Sequence, residues 1–148
     1  MVLLPLVRSK VDVPIVAAGG ICDGVSMAAA FALGAEGVQM GTRMVSAAES
    51  PVGKGWKDAI VAAEETGTVF LRQERGPALR ALRTERTTRL ERGEGNPMME
   101  LVAGQPEVYF KGNVEAGVAL SGEVAGRIES VEAVADIVAR TVREYAAT

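Results

Sequence analysis

The sequence predicts an α/β fold, because two short apolar runs, each ending in a glycine turn, flank an alanine-rich helical stretch. The first run covers residues 15–18 and ends at Gly19-Gly20, and the second covers residues 36–40 and ends at Gly41-Thr42. A continuous apolar run of this length is typical of a parallel strand that is buried on both faces. We therefore expect a βα unit whose two strands lie side by side.

The composition agrees with one globular domain of this class. The chain has 148 residues, which is enough for one hydrophobic core and too few for two ordinary domains. Hydrophobic residues make up 48% and charged residues 24%, which is typical of a globular chain and not of a disordered one. Aromatic residues make up only 4%, which favours closely packed α/β layers over an all-β sandwich.

Charge and patterning limit the partners and the compartment that we expect. The net charge is −3 at pH 7, which argues against general binding to nucleic acid or to an anionic membrane. No apolar run reaches the roughly 18 residues of a membrane span, and residues 1–7 lack the basic leader of a signal peptide. The single cysteine fits a reducing compartment, so we expect a cytoplasmic protein.

Because the chain contains no histidine, acid–base chemistry needs another residue type or another chain.

Cap and breaker residues place the first helices. Residues 3–10 are interpreted as the last turns of a helix, in which Pro5 is acceptable only within a first turn. Asp23 is the expected N-cap of a helix over residues 25–33, and Gly34 is its expected C-cap.

The βα pattern stops after one more helix and strand. A helix is expected over residues 56–65, with Lys57 facing water, and a brief strand over residues 68–71. Residues 1–71 are therefore interpreted as βα units and residues 72–148 as a mainly helical extension of the same domain.

The extension is expected to end in an amphipathic helix. Residues 98–103 predict a short helix, residues 104–112 a connection and residues 114–120 a small helical turn. The final helix is expected to run from Ser130, as its N-cap, to about Tyr145. Its apolar residues recur at helical spacing: Val131, Val134, Ile137, Val138 and Val142.

An arginine-rich stretch raises the question of nucleic-acid binding. Between residues 72 and 92 the chain carries seven arginines, namely Arg72, Arg75, Arg80, Arg83, Arg86, Arg89 and Arg92. Glu74, Glu85 and Glu91 interleave with them, and few aromatic residues are present for base stacking. We interpret the stretch as a solvated, salt-bridged surface, with room for one or two arginines to face an active site or a subunit interface.

The two glycine turns predict a phosphate site. A phosphate needs several converging N–H donors and no side chain that blocks its approach; glycines after a strand provide both, and a following helix N-terminus adds positive potential. Turns on neighbouring parallel strands would meet at their carboxyl ends, where α/β folds bind ligands. Thr42 can add a hydroxyl donor, and Gln39 can reach toward a ring or a ribose. The Gly-x-Gly-x-x-Gly pattern and the Gly-Lys-Ser/Thr phosphate loop are both absent from the sequence.

Other side chains near the turns have simpler interpretations. Cys22 could be a reactive thiol at a helix N-terminus, but we favour a small buried filler. Asp23 is interpreted as a cap rather than a catalytic acid. Met40 and Met44 are expected to fill the core, although Met40 could line a ring, and Trp56 is expected to anchor helix packing.

Several segments resemble the nitronate monooxygenase family, formerly called 2-nitropropane dioxygenases, and its close relatives, the flavin-dependent enoyl-acyl-carrier-protein reductases. They are VPIVAAGGI (13–21), Asp23-Gly24, AFALGAEGVQMGT (30–42), Glu49-Ser50-Pro51, GNVEAG (112–117) and SGEVAGRI (121–128). Together they span nearly the whole chain. Two positions depart from the family pattern, since residues 52–54 lack the usual histidine and Glu123 stands where a glutamine is common.

The resemblance implies the C-terminal part of a TIM (β/α)8 barrel, about its last two βα units, with non-covalently bound FMN. The family's FMN-phosphate contacts fall on Gly19, Gly20, Gln39, Met40, Gly41 and Thr42. The implied reaction is the oxidation of alkyl nitronates by dioxygen through reduced flavin, without a metal. The reductase relatives instead pass hydride from a nicotinamide cofactor through FMN to an enoyl thioester.

The resemblance also implies that part of the catalytic apparatus lies elsewhere. A full barrel needs about 250 residues, and the family's catalytic histidine belongs to barrel segments that precede this stretch. We therefore assign no catalytic residue and expect this chain alone to be inactive. A different interpretation is a non-catalytic module that keeps the phosphate site or only the fold. In both cases an incomplete barrel exposes strand edges and apolar faces, which favours homo-oligomers or aggregation.

Overall fold

The first half of the chain forms the βα unit that the sequence predicts. The computed structural model describes residues 2–72 and 76–148, so Glu74 and Arg75 of the arginine-rich stretch lie outside the described residues. The elements are, in order, α1 (Leu3–Arg8), β1 (Val16–Ala18), α2 (Gly24–Ala32), β2 (Gly37–Gln39), α3 (Thr42–Val45), α4 (Lys54–Val61), β3 (Thr68–Leu71), β4 (Leu79–Leu82), α5 (Glu85–Glu91), α6 (Pro97–Lys111) and α7 (Val134–Ala147), with 3₁₀ segments at Val114–Ala116 and Glu123–Arg127 before α7.

Strands β1 and β2 pair in parallel, with α2 as their connection. The N-cap of α2 is Asp23, as predicted; its Oδ1 accepts from the backbone N–H of Ser26 at 2.8 Å, and the Ser26 hydroxyl accepts from the backbone N–H of Asp23 at 3.2 Å. The C-cap is Leu33, and Gly34 follows it with a φ of +101°, a conformation that favours glycine.

The prediction that β1 is buried on both faces is wrong. Val16 is 61% exposed, and Ala18 is also exposed. Within the described residues β1 pairs with β2 alone, in a two-stranded sheet. The apolar run therefore has the composition of a buried parallel strand while its other edge and one face stay uncovered.

The second half contains a strand that the sequence patterns do not predict. Strand β4 pairs antiparallel with β3, and Ala81 forms a further antiparallel bridge with Leu120. The extension is therefore not purely helical. The strand carries little local signal because it is only four residues long and contains the charged Arg80.

Helix α6 is one helix of 15 residues and not a short helix followed by a connection. Asn96 caps its N-terminus, and it runs through Gly104 and Pro106, two residues that usually indicate a break. A Cβ at position 104 would lie 2.5 Å from the Cα of Gly117, so Gly104 is needed for close packing of two backbone segments.

The main core lies between α4, α6 and the last 3₁₀ segment, around Trp56. The Trp56 indole is buried; its Nε1 donates to the Ser121 hydroxyl at 3.3 Å, and its ring and that of Tyr109 pack in a T-shaped arrangement with 5.0 Å between centroids. Trp56 is therefore the packing anchor that the sequence predicts.

Lys57 does not face water as expected, because its side chain is buried and its Nζ donates to the Ala48 carbonyl at 2.8 Å.

Helix α7 packs across α2, where the Phe31 and Tyr145 rings meet edge to face at 5.3 Å. Its N-cap is Ala133 and not Ser130, so the helix begins later than that cap predicts. Ile137 and Thr141 are buried, whereas four of the predicted apolar positions are exposed, namely Val131, Val134, Val138 and Val142. Over the described ranges, no helix is both long and apolar enough to cross a membrane.

Candidate cofactor site

The β1–β2 register places the two glycine turns side by side. Ala18, the last residue of β1, is the register partner of Gln39, the last residue of β2. The turns that follow, Gly19-Gly20 and Gly41-Thr42, therefore leave the sheet at the same carboxyl edge. This is the edge at which parallel α/β folds bind their ligands.

The glycines of the two turns leave an open, donor-lined surface. Gly19 and Gly20 have φ values of +85° and +79°, which L side chains rarely adopt. A Cβ at Gly19, Gly20 or Gly41 would meet no heavy atom within 4 Å. Among the described residues, the backbone N–H groups of Gly20, Gly41 and Thr42 have no acceptor, whereas the strand register directs that of Gly19 toward the Gln39 carbonyl. An anion could approach these donors without displacing a side chain.

Thr42 contributes a hydroxyl whose orientation is set by another part of the chain. The residue is buried, and its Oγ1 accepts from the backbone N–H of Gly122 at 2.8 Å. Because the oxygen already accepts this bond, the hydroxyl proton remains available for donation to a ligand.

Gln39 and Met40 differ in their surroundings. Gln39 is exposed at the end of β2. Met40 is half-buried and packs against the apolar cluster formed by Ile21, Ala30 and Ala35. The structure thus places the four residues of the glycine turns, Gly19, Gly20, Gly41 and Thr42, at one edge of the sheet. The Met40 side chain packs into the apolar cluster instead.

The N-terminus of α2 is not available to the turns, contrary to the expected contribution of its positive potential. The backbone N–H of Gly24 donates to Glu144 Oε2 at 2.9 Å, and that of Ser26 donates to Asp23. Two carboxylates of the chain therefore already compensate this helix end.

An apolar cavity of about 550 Å³ adjoins the Gly19-Gly20 turn. Residues of α1, β1 and α2 line it, including Leu3, Val7, Val16, Ala29 and Leu33. The cavity lies against the exposed part of β1, so the uncovered sheet and the first glycine turn share one surface.

Cys22 and Asp23 have the structural roles that the sequence favours. Cys22 is 4% exposed, and burial, together with the neighbouring Asp23 carboxylate, raises the pKa of its thiol. Burial opposes the ionisation of Asp23, but hydrogen bonds from Ser26 and the charge of Arg127 outweigh it and lower the pKa of the carboxyl. The thiol thus stays protonated, and the carboxylate is held as a cap and as the ion-pair partner of Arg127.

A buried arginine next to the second turn is a feature that the sequence patterns do not indicate. The Arg43 guanidinium donates to the Ser130 carbonyl at 2.8 Å, to the Ser46 hydroxyl at 3.2 Å and to Glu132 Oε1 at 2.7 Å. Glu132 also pairs with Arg140 at 2.8 Å. Because Arg43 and Glu132 are 89 positions apart, no local pattern could have indicated the pair.

These charges line a polar cleft of about 440 Å³, whose walls are the N-cap of α2, Arg43 of α3, the segment 126–132 and α7. Burial lowers the pKa of Arg43, while Glu132 opposes that shift. Hydrogen bonds from Ser130 and Arg140, with the charge of Arg43, lower the pKa of Glu132 against a smaller effect of burial. The Nε of Arg43 is buried and has no acceptor among the described residues.

Three arginines of the arginine-rich stretch pair with carboxylates, which agrees with its interpretation as a salt-bridged surface. The pairs are Arg80 with Glu123 at 2.9 Å, Arg83 with Glu91 at 3.1 Å and Arg86 with Glu100 at 2.6 Å. Exposed pairs of this kind stabilise a fold only slightly.

Known proteins resemble this chain in both sequence and fold. The model of the nitronate monooxygenase family matches residues 1–144. A probable nitronate monooxygenase of Staphylococcus saprophyticus is 41% identical over 85 residues, which are 57% of this chain and 24% of that protein. One from Staphylococcus aureus is 36% identical over 94 residues, which are 64% of this chain and 26% of that protein.

Two solved structures carry the likeness over almost the whole chain. FabK from Thermotoga maritima superposes with a TM-score of 0.90 at 39% identity, covering 99% of this chain and 48% of FabK. A nitroalkane oxidase from Streptomyces ansochromogenes superposes with a TM-score of 0.77 at 27% identity, covering 98% of this chain and 43% of the oxidase. The chain spans about a quarter of these curated relatives and about half of these solved proteins. It belongs to the nitronate monooxygenase family.

Proposed function

We propose that this chain forms the FMN-phosphate site of a flavin-dependent oxidoreductase that oxidises alkyl nitronates with dioxygen. The observation that carries the proposal is the pair of glycine turns at one sheet edge, with unpaired N–H groups and no side chain over them. Family membership supports FMN as the source of this phosphate.

The chemistry of the two turns fits a phosphate monoester. Gly20, Gly41 and Thr42 offer backbone donors at one edge, Gly19 leaves the approach open, and the Thr42 hydroxyl proton adds another donor. In this proposal the backbone of Met40 and the exposed Gln39 complete the contacts. When bound, FMN supplies the redox chemistry, and the residues of this chain hold and orient its phosphate.

The same proposal accounts for the uncovered β1 strand. In a TIM barrel every strand has two neighbours and is covered by helices. We propose that β1 and β2, with the helices that follow them, are about the last two βα units of such a barrel, and that residues 72–148 form its extension. The match to about half of FabK supports this assignment.

We assign no catalytic residue in this chain. Histidine is absent from its sequence, and two carboxylates at the N-terminus of α2, those of Asp23 and Glu144, serve as helix caps. The chain is therefore proposed to bind the cofactor without abstracting a proton from substrate, so turnover requires further residues.

A second candidate is an enoyl-thioester reductase. It is favoured by the likeness to FabK, which is higher in both TM-score and identity than the likeness to the nitroalkane oxidase. The two candidates share the FMN-phosphate site. They differ in whether a reduced nicotinamide cofactor, added with an enoyl thioester, reduces the bound flavin.

Titration with FMN and with riboflavin tests the shared site. Riboflavin carries the same ring system without the phosphate, so a working phosphate site binds FMN more tightly. We expect the visible flavin band to shift on addition of FMN and to require more riboflavin for the same change. Equal binding of the two flavins would contradict the proposed site.

A further inference from the structure

We infer that Arg43 is a positioning residue for the Gly41-Thr42 turn, and that Glu132 holds it in place. The segment 130–134, far away in sequence, would then set the affinity for the phosphate. The inference rests on the proposed function, because it concerns how the same site is kept in shape.

Arg43 follows Thr42 directly, so its side chain fixes the backbone that offers the turn's donors. The side chain is 2% exposed, which means that its charge is compensated by the chain and not by water. Its acceptors are the Ser130 carbonyl, the Ser46 hydroxyl and the Glu132 carboxylate. Two of the three belong to the segment 130–134.

Two further contacts tie the same segment to the chain after the turn. The backbone N–H of Ala48 donates to the Glu132 carbonyl at 2.8 Å, and that of Val134 donates to Glu49 Oε2 at 2.9 Å. Helix α3, which lies between the turn and these contacts, has only four residues and cannot hold its geometry alone. The position of Thr42 is therefore determined by tertiary bonds.

The charges around Arg43 favour this role over a second ligand site in the polar cleft. Arg43 and Arg140 pair with Glu132, and Arg127 pairs with Asp23. A ligand in the cleft would have to displace bonds that already exist. The network is thus suited to holding a backbone segment.

The test compares Glu132→Gln with Glu129→Gln, which changes an exposed carboxylate three positions away. The readout is the dissociation constant of riboflavin divided by that of FMN. General destabilisation of the fold weakens the binding of both flavins, whereas displacement of the Gly41-Thr42 turn weakens the binding of FMN alone. We expect Glu132→Gln to lower this ratio by about tenfold, the effect of one charged hydrogen bond, and Glu129→Gln to leave it unchanged.

A Glu132→Gln variant with the wild-type ratio, or with both flavins weakened equally, would overturn the inference while leaving the proposed function standing. A wild-type chain without preference for FMN would instead overturn the proposed phosphate site and the inference with it. If Glu132→Gln does not fold, Ser46→Ala removes a neutral acceptor of the same guanidinium. Its expected loss is about threefold in the same ratio, and an unchanged ratio would overturn the inference.

Discussion

The backbone N–H of Gly122 donates to Oγ1 of Thr42 across 80 positions of sequence. This bond joins the second glycine turn to the segment before the last 3₁₀ helix. It also leaves the Thr42 hydroxyl proton free to point toward an anion, so one residue links the extension to the candidate cofactor site.

Replacing Thr42 therefore has an effect that depends on the hydroxyl and not on size. Thr42→Val keeps the shape but removes the donor and leaves the Gly122 N–H unpaired; we expect FMN affinity to fall by about tenfold. Thr42→Ser keeps the hydroxyl and is expected to stay within about threefold of wild type. Flavin titration measures both, and equal affinities of the two variants would contradict a donor role.

The first turn is tested by a glycine pair with matched backbone strain. Gly20 and Gly93 both have positive φ, +79° and +87°, and a Cβ at either would meet no atom within 4 Å. Gly20→Ala and Gly93→Ala should each lower the free energy of unfolding by about 1–2 kcal/mol. Only Gly20→Ala is expected to weaken FMN binding. Loss of binding in both variants would indicate general destabilisation instead of a site at the turn.

The stability contribution of Asp23 depends on pH in a direction set by its lowered pKa. Because the folded-state pKa lies below the unfolded value of about 3.9, the contribution is complete above that value. It is lost as the pH falls through the folded-state pKa. Asp23→Asn keeps a capping oxygen but loses the charge, so it should lower the free energy of unfolding at pH 7 and flatten its fall in acid.

Urea unfolding at a series of pH values measures this effect. Asp12→Asn changes an exposed aspartate that precedes β1 and is not part of the cap, and it serves as the control. An Asp23→Asn variant with the same acid dependence as wild type would show that the ion pair with Arg127 and the Ser26 bonds do not favour the carboxylate.

Gly104 is expected to reverse the usual preference of helices for alanine. Helix propensity alone favours alanine over glycine by about 1 kcal/mol. At position 104, however, a Cβ would press on the Gly117 backbone, so Gly104→Ala should destabilise the fold. The exposed neighbour Gln105→Ala is the control and should be neutral or slightly stabilising. Thermal unfolding compares the two, and a stabilising Gly104→Ala would contradict the close α6 packing.

Local signals in the sequence predict the elements that position the site. The apolar runs, the Asp23 cap and the two glycine turns are short-range patterns, and the structure confirms the parallel strands that they predict. The alignment of the turns follows from strand pairing, because parallel neighbours end at the same edge of a sheet. The amino-acid pattern is therefore sufficient to predict that both turns lie at one edge.

The remaining features depend on contacts between distant segments. Lys57 is buried because the Ala48 carbonyl accepts from it, and α6 runs through Gly104 because Gly117 packs there. The pairing of Arg43 with Glu132 and the capping of α2 by Glu144 likewise join residues that no periodicity connects. Composition alone also could not show that, within the described residues, one edge of β1 has no partner strand and one of its faces is exposed.

The most direct test of the central claim is a visible absorption titration of the purified chain with FMN, with riboflavin in parallel. The account predicts a shifted flavin band that saturates at an equimolar ratio, with clearly tighter binding of FMN than of riboflavin. An unchanged flavin spectrum at saturating FMN, or equal affinity for the two flavins, would contradict a phosphate site formed by Gly19, Gly20, Gly41 and Thr42.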